Sequence, residues 1–192
     1  QACVGPAANF LDPLIFSRLL FSQNCWYIAR FFLPPLLFYG ESIAKNIVIC
    51  SDGTGNCAIK DRGTNAFKIF ESIDLNGHRF NPKLDPQVPI YDDGVGTEDF
   101  RPVKIFAGIT GWGLSRNVKQ LYKELCRIYD PGDKIFLFGF SRGAFTVRTL
   151  AGFIVKCGII DAQKQPTAEA FDDCVNRAYK AYRSCYRTVL IQ

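Results

Sequence analysis

From residue 46 onward, short apolar runs alternate with segments of helical period. "NIVICS" (46–51) is a β-branched run and predicts a strand. Thr64 stands where a helix cap belongs, ahead of "NAFKIFESID", in which Phe67, Ile69, Phe70 and Ile73 supply the apolar positions. "NGHRFNPKLDPQ" is rich in turn residues, and "VPIYDD" (88–93) predicts a second strand running into "GVGT". In "SRNVKQLYKELCRIY", Val118, Leu121, Tyr122, Leu125 and Ile128 follow the i, i+3, i+4, i+7 pattern of an amphipathic helix. "DPGD" stops that helix. "KIFLFGF" (134–140) is continuously apolar after Lys134, as a strand covered on both faces should be. A helix is predicted from Arg142 to about Lys156, ending near Gly158. A last amphipathic helix follows over about 167–187, with Phe171, Cys174, Ala178, Tyr182 and Cys185 on one face.

Strand followed by helix, three times over, predicts an α/β fold: a mainly parallel sheet with flanking helices. Function in such sheets collects at the carboxyl ends of the strands, so loops 52–57, 93–98 and 139–143 are the places to look. No internal repeat interrupts the pattern. Residues 1–45 differ from the rest. They are aromatic and aliphatic, broken by Asp12, Arg18, Arg30 and the pair Pro34-Pro35. A membrane span needs about 20 apolar residues with almost no charge, and the best window, 19–39, holds Arg30 and both prolines. No basic start or small-residue cleavage site marks a signal peptide. The segment is read as an apolar helical lead-in of uncertain structure, set apart from a domain over 46–192.

Composition changes this picture little. A chain of 192 residues, 48% of them hydrophobic, can bury a core as one domain without disulfides. The net charge of +5 is spread among scattered bases and acids, and no basic run points to nucleic acid. Eight cysteines are present, at 3, 25, 50, 57, 126, 157, 174 and 185, but no CxxC pair suggests a zinc site. Reduced, buried thiols are expected instead, with no metal and no cofactor. Met is absent even at position 1, and the chain stops in the apolar "TVLIQ", so a piece cut at both ends is expected.

The chemistry concentrates in "GFSRGA". Gly139-Phe140-Ser141-Arg142-Gly143 is a Gly-x-Ser-x-Gly between a predicted buried strand and a helix, where a nucleophile elbow belongs. The elbow holds its serine in a tight turn, so the residues two before and two after must lack bulk. Gly139 and Gly143 meet that need. Ser141 then stands at a helix amino end, whose dipole favours developing negative charge. The plainer reading is a tight junction with a helix-capping serine. In an elbow, the N–H of Arg142 is the first oxyanion donor. The second comes from Asp52-Gly53-Thr54-Gly55-Asn56, where the glycines let backbone N–H groups approach a ligand. Gly53 and Thr54 are the expected donors.

The same loop raises a rival, because aspartyl phosphatases also carry Asp-Gly-Thr after a strand. Their nucleophile is an Asp two residues earlier. Cys50 stands there, so Asp52 is read as support for its own turn or for the elbow. A serine nucleophile also needs a His base and an acid. His78 precedes Ser141 and belongs at the amino edge of the sheet, about 17 Å away across a five-residue strand. Asp161, Asp172 and Asp173 follow Ser141, the last two early in a helix, where acids are ordinary. No His follows. Base and acid are expected beyond Gln192, and these 192 residues are expected to be inactive alone.

"NIVICSDGTGN", "TNAFKIF", "YDDGVGT", "NVKQLYKELCRIYDPGDKIFLFGFSRGAFTVRTLAG" and "CGII" occur in that order over about residues 46–160. Together they resemble the catalytic domain of the type VI secretion phospholipase effectors. The resemblance implies an α/β-hydrolase fold, here partial and truncated after the nucleophile-elbow helix. It also implies a Ser-Asp-His triad with Ser141 as nucleophile, and phospholipase activity without a cofactor. A phospholipid or other ester is then the substrate and a membrane surface a partner to test, with nucleic acid excluded. Two alternatives stand beside it: a soluble carboxylesterase on the same scaffold, and a non-catalytic hydrolase-like binding module. Location is left open between cytoplasm and secretion.

Overall fold

The computed structural model describes residues 20–22, 26–32, 44–53, 63–93 and 112–187. Strands β1 (Leu20–Ser22) and β2 (Trp26–Phe32) come first, then β3 (Asn46–Ser51), helix α1 (Asn65–Glu71), the short α2 (Gly77–Phe80) and β4 (Gln87–Asp92). Helix α3 (Trp112–Ile128), strand β5 (Lys134–Phe140) and helix α4 (Arg142–Cys157) follow. A single 3-10 turn (Ala162–Lys164) then leads to helix α5 (Ala168–Arg187). The strands form one sheet in the order β1-β2-β5-β3-β4.

The α/β alternation from 46 onward is present, with β3 paired in parallel to both β4 and β5. Two expectations are corrected. The lead-in is not helical where it is described: β1 and β2 form an antiparallel pair, and β2 runs antiparallel along all of β5 from Trp26↔Phe140 to Phe32↔Lys134. The sheet is therefore mixed, two parallel pairings and two antiparallel. The reason is physical. Without β2, the outer side of β5 would offer a row of unpaired N–H and C=O groups, and "WYIARFF" is the β-branched and aromatic sequence that suits a strand.

β3 is the middle of the parallel part. Ile47, Ile49 and Cys50 are fully buried, covered from both faces. β5 alternates between buried and half-buried positions, so its uniformly apolar sequence overstated its cover. Helix α1 stops at Glu71, short of the predicted run to 74, because Ser72 N–H already closes the last turn on Lys68 and Ile69. Helix α3 buries Val118, Leu121, Tyr122 and Leu125, as its period predicts. Helix α5 buries Phe171, Val175, Tyr179 and Tyr182 while Cys185 is exposed, so its inner face is rotated from the predicted one. An aromatic cluster ties α3, α4 and α5 together: Phe153 lies 4.2 Å from Tyr122, 5.3 Å from Tyr179 and 5.5 Å from Tyr182, ring centre to ring centre. Among the described residues, no helix is long and apolar enough to cross a membrane.

The amino edge of the sheet is pinned by charge. Asp133, 2% exposed, accepts from the N–H of Lys45 (2.9 Å) and of Asp130 (2.8 Å) and pairs with Lys45 Nζ (2.6 Å). Asp130 takes the same ammonium at 2.6 Å. Burial works against the Lys45 charge, but hydrogen bonds to Asp130 and Asp133 outweigh it and raise its pKa above 10.5. The contribution is whole below that unfolded-state value and is lost as pH rises through the higher folded-state one. Asp133→Ala is expected to destabilise the fold by about 3 kcal/mol, since two backbone donors and a half-buried cation lose their acceptor. Urea denaturation of the variant checks this; a loss within experimental error would mean that water replaces the carboxylate at no cost.

Candidate active site

β5 ends at Phe140, and the chain turns at Ser141 into α4. Ser141 has φ 53° and ψ −119°, the one described non-glycine residue with positive φ. An L-residue there is strained by about 1–3 kcal/mol. Ser141 is exposed, and its side chain makes no capping hydrogen bond to the helix it opens. The plain capping role is therefore not the one seen.

The glycines on either side show why the turn is possible. A Cβ on Gly139 would lie 2.7 Å from both N and Cα of Ala144, inside the start of α4. A Cβ on Gly143 would lie 2.1 Å from the carbonyl oxygen of Ser51 and 2.7 Å from that of Asp52. The first turn of α4 thus rests directly on the carboxyl end of β3. Parallel pairing of β3 and β5, with Ser51 opposite Gly139, brings the two loops together as the sequence predicts.

Behind this contact lies a polar network. Asp52 is 1% exposed and accepts from Gly53 N–H (2.7 Å), from Tyr91 Oη (2.9 Å) and from Thr64 Oγ1. Thr64 also caps α1 through Phe67 N–H at 3.2 Å. Phe67 and Phe70 pack on the Tyr91 ring at 5.5 and 5.1 Å. Burial, and then the bond to Asp52, push the Tyr91 hydroxyl well above its usual range, so it stays a donor. Asp52 is therefore occupied in holding its own turn, α1 and β4. Cys50, where a phosphatase would carry its nucleophile, is fully buried; burial first and the Asp52 charge second push its thiol up to about 12. It stays protonated and inert near neutral pH.

Sequence reasoning misses Ser51, Asp92 and Asn117. Ser51 Oγ donates to Asp92 Oδ2 (2.7 Å), and Asn117 Nδ2 lies 3.2 Å from Asp92 Oδ1. Asp92 also holds Asp52 in place, its carbonyl accepting Asp52 N–H at 2.9 Å. An acid at the carboxyl end of a parallel strand is the signal that could have found it.

The other candidates fall away from Ser141. Asp161 follows α4, whose sixteen residues span about 24 Å, so it lies towards the opposite edge. There it accepts from Gln163 N–H (3.0 Å) and Lys164 N–H (3.3 Å), and the Lys164 ammonium is the main cause of its lowered pKa. Asp172 pairs with Lys123 at 2.7 Å and Asp173 is exposed. His78 sits in α2, between the end of α1 and the start of β4, with Nδ1 buried and unpartnered among the described residues. Gly53 N–H is engaged by Asp52, and Thr54 lies outside the described residues, as do all of 54–62 and 94–111. Among the described residues, no group of three or more His, Cys, Asp or Glu side chains is placed to hold a metal. The five described cysteines are free; Cys50 and Cys126 are buried, Cys157 and Cys174 half-buried, and only Cys185 departs fully from the buried expectation.

A positive-φ serine thus stands just past the end of β5, between Gly139 and Gly143, beside the chain that leaves β3 at Asp52. The profile of the T6SS phospholipase effector Tle1-like catalytic domain matches residues 45–189. The chain belongs to that family. It is also similar to an uncharacterized protein of Saccharomyces cerevisiae, 27% identical over 155 residues, covering 74% of this chain and 21% of the relative. The chain thus spans about a fifth of the length of that curated relative. No solved structure matches it.

Proposed function

We propose that the protein is a serine ester hydrolase on an α/β-hydrolase scaffold, with residues 46–192 forming the amino-terminal half of its catalytic domain and Ser141 its nucleophile. Membership of a phospholipase effector catalytic-domain family supports a phospholipid acyl ester as the substrate. The observation that carries the reading is the backbone of Ser141: positive φ, exposed, with a hydroxyl that caps nothing.

The chemistry follows from the placement. Ser141 Oγ attacks the ester carbonyl, and its proton passes to a His supplied from outside the described residues, oriented by an acid. Charge then develops on the carbonyl oxygen. Arg142 opens α4, so its N–H has no acceptor within the helix and points the positive end of the helix dipole at that oxygen. The second donor is assigned to the loop at 53–54. Gly53 N–H serves Asp52 at 2.7 Å, so it contributes only if Asp52 releases it, and Thr54 is the other donor. No metal or organic cofactor is required by these steps.

Full-length protein is expected to be labelled by a fluorophosphonate at Ser141, located by peptide mass spectrometry. A folded sample that takes no label overturns the serine reading and favours a non-catalytic module. Turnover of short water-soluble esters but not of phospholipid vesicles would replace the phospholipase with a carboxylesterase.

A further inference from the structure

A groove of about 730 Å³ runs between α3 and α5. Arg116 and Lys119 line it from α3, Lys180 and Arg183 from α5, together with the buried Tyr179, and no described lining residue is acidic. Arg116, Lys180 and Arg183 are exposed, and none has a carboxylate partner among the described residues. Lys119 is held by the neutral Asn176 at 2.7 Å and has no carboxylate partner among the described residues. The bias extends along both helices. Residues 112–123 and 174–187 contain bases and no acid, while Glu169, Asp172 and Asp173 crowd the far end of α5.

Helix stability does not explain the arrangement. The bases near the end of α5 suit its negative pole, but Arg116 and Lys119 stand in the amino-terminal half of α3, nearer its positive pole. Position matters more than number. Asn117, next to Arg116, bonds Asp92 at the carboxyl end of β4, Asp92 bonds Ser51, and the Ser51 carbonyl rests against Gly143. The groove therefore opens on the same edge of the sheet as Ser141.

We propose that this groove docks the protein on an anionic phospholipid surface, its four cations seated among lipid phosphates so that Ser141 faces the bilayer. The inference rests on the phospholipase reading for the choice of a lipid surface over other polyanions. Charge complementarity carries it, since four cations on one face, none paired with a carboxylate among the described residues, match a plane of phosphates.

The test is co-sedimentation of full-length protein with phosphatidylcholine vesicles, with and without phosphatidylglycerol. All proteins carry Ser141→Ala, so that binding is read without turnover. Preference for the anionic vesicles is expected. The triple variant Arg116→Gln, Lys180→Gln, Arg183→Gln should bind them on the order of a hundredfold more weakly, at roughly fivefold per basic side chain near an anionic surface. A charge-matched control, Arg79→Gln, Lys83→Gln, Lys156→Gln, should stay within about twofold, as exposed cations on another part of the surface. Should the triple variant melt early, Arg183→Gln alone is expected to lose about fivefold. Equal loss in both triples, no preference for the anionic vesicles, or displacement from them by a single-stranded oligonucleotide at equal phosphate concentration overturns the proposal. The last result would make nucleic acid the occupant. Failure of fluorophosphonate labelling with binding intact would remove the serine mechanism and leave the docking surface standing.

Discussion

Ser141→Ala is expected to lower ester hydrolysis by the full-length protein by a factor on the order of 10⁵–10⁶, with its fold intact, because in the proposed mechanism the nucleophile acts with its base as one unit. The companion variant Ser141→Gly separates chemistry from structure. It should be equally inactive yet about 1 kcal/mol more stable. Relief of a strain of about 1–3 kcal/mol at φ 53°, ψ −119° outweighs the entropy of an added glycine, about 0.5–1 kcal/mol. Initial rates on phospholipid vesicles and urea midpoints give the two readouts. Residual turnover near the wild-type rate in either variant would show that another group attacks. A destabilised glycine variant would show that the turn is held by a serine contact and is not strained.

The second large effect is expected at Gly143. In Gly143→Ala, the new Cβ would meet the carbonyl oxygens of Ser51 at 2.1 Å and Asp52 at 2.7 Å. Both are backbone atoms of the central strand and its exit, so no rotamer change relieves the contact. Either α4 lifts away from the sheet or β3 shifts against β5. A loss of about 3 kcal/mol or more is expected, together with the hydrolytic rate, because the lifted helix carries Ser141 and the Arg142 N–H away from the DGT loop. Gly158→Ala provides the contrast. Its Cβ would meet nothing within 4 Å, so only the backbone at φ 71°, ψ −164° is disfavoured, at about 1–3 kcal/mol and with no collision added. Chemical denaturation orders the two, and comparable losses would mean that the collision at Gly143 is absorbed locally.

Both effects arise at residues that the linear sequence already marks. Strands β3, β4 and β5 and helices α1, α3, α4 and α5 are legible there because their signals are local: β-branched runs, a 3.6-residue period, Thr64 as the cap of α1, Gly158 as the stop of α4. Gly139 and Gly143, on either side of the turn at Ser141, are legible for the same reason, since a turn that tight excludes Cβ atoms wherever it occurs. β2 is not. Its aromatic run has neither a period of two nor of 3.6, and what makes it a strand is the open side of β5, more than a hundred residues later in the chain.

Adjacency accounts for the rest. Asp52 reads as a turn residue and is one, but its ties to Thr64 and Tyr91 need α1 and β4 folded around it. Ser51, Asp92 and Asn117 are ordinary in sequence and meet only because β3, β4 and α3 come together at one edge. The clearest case is charge. Along the chain, the bases are scattered and no run points to a polyanion. Arg116 and Lys119 reach Lys180 and Arg183 only where α3 packs against α5. Linear order sets what each segment can form, because backbone periodicity and steric exclusion act over a few residues. Which segments become neighbours depends on burying apolar faces together across long separations, and the cationic groove and the setting of Ser141 arise at that level.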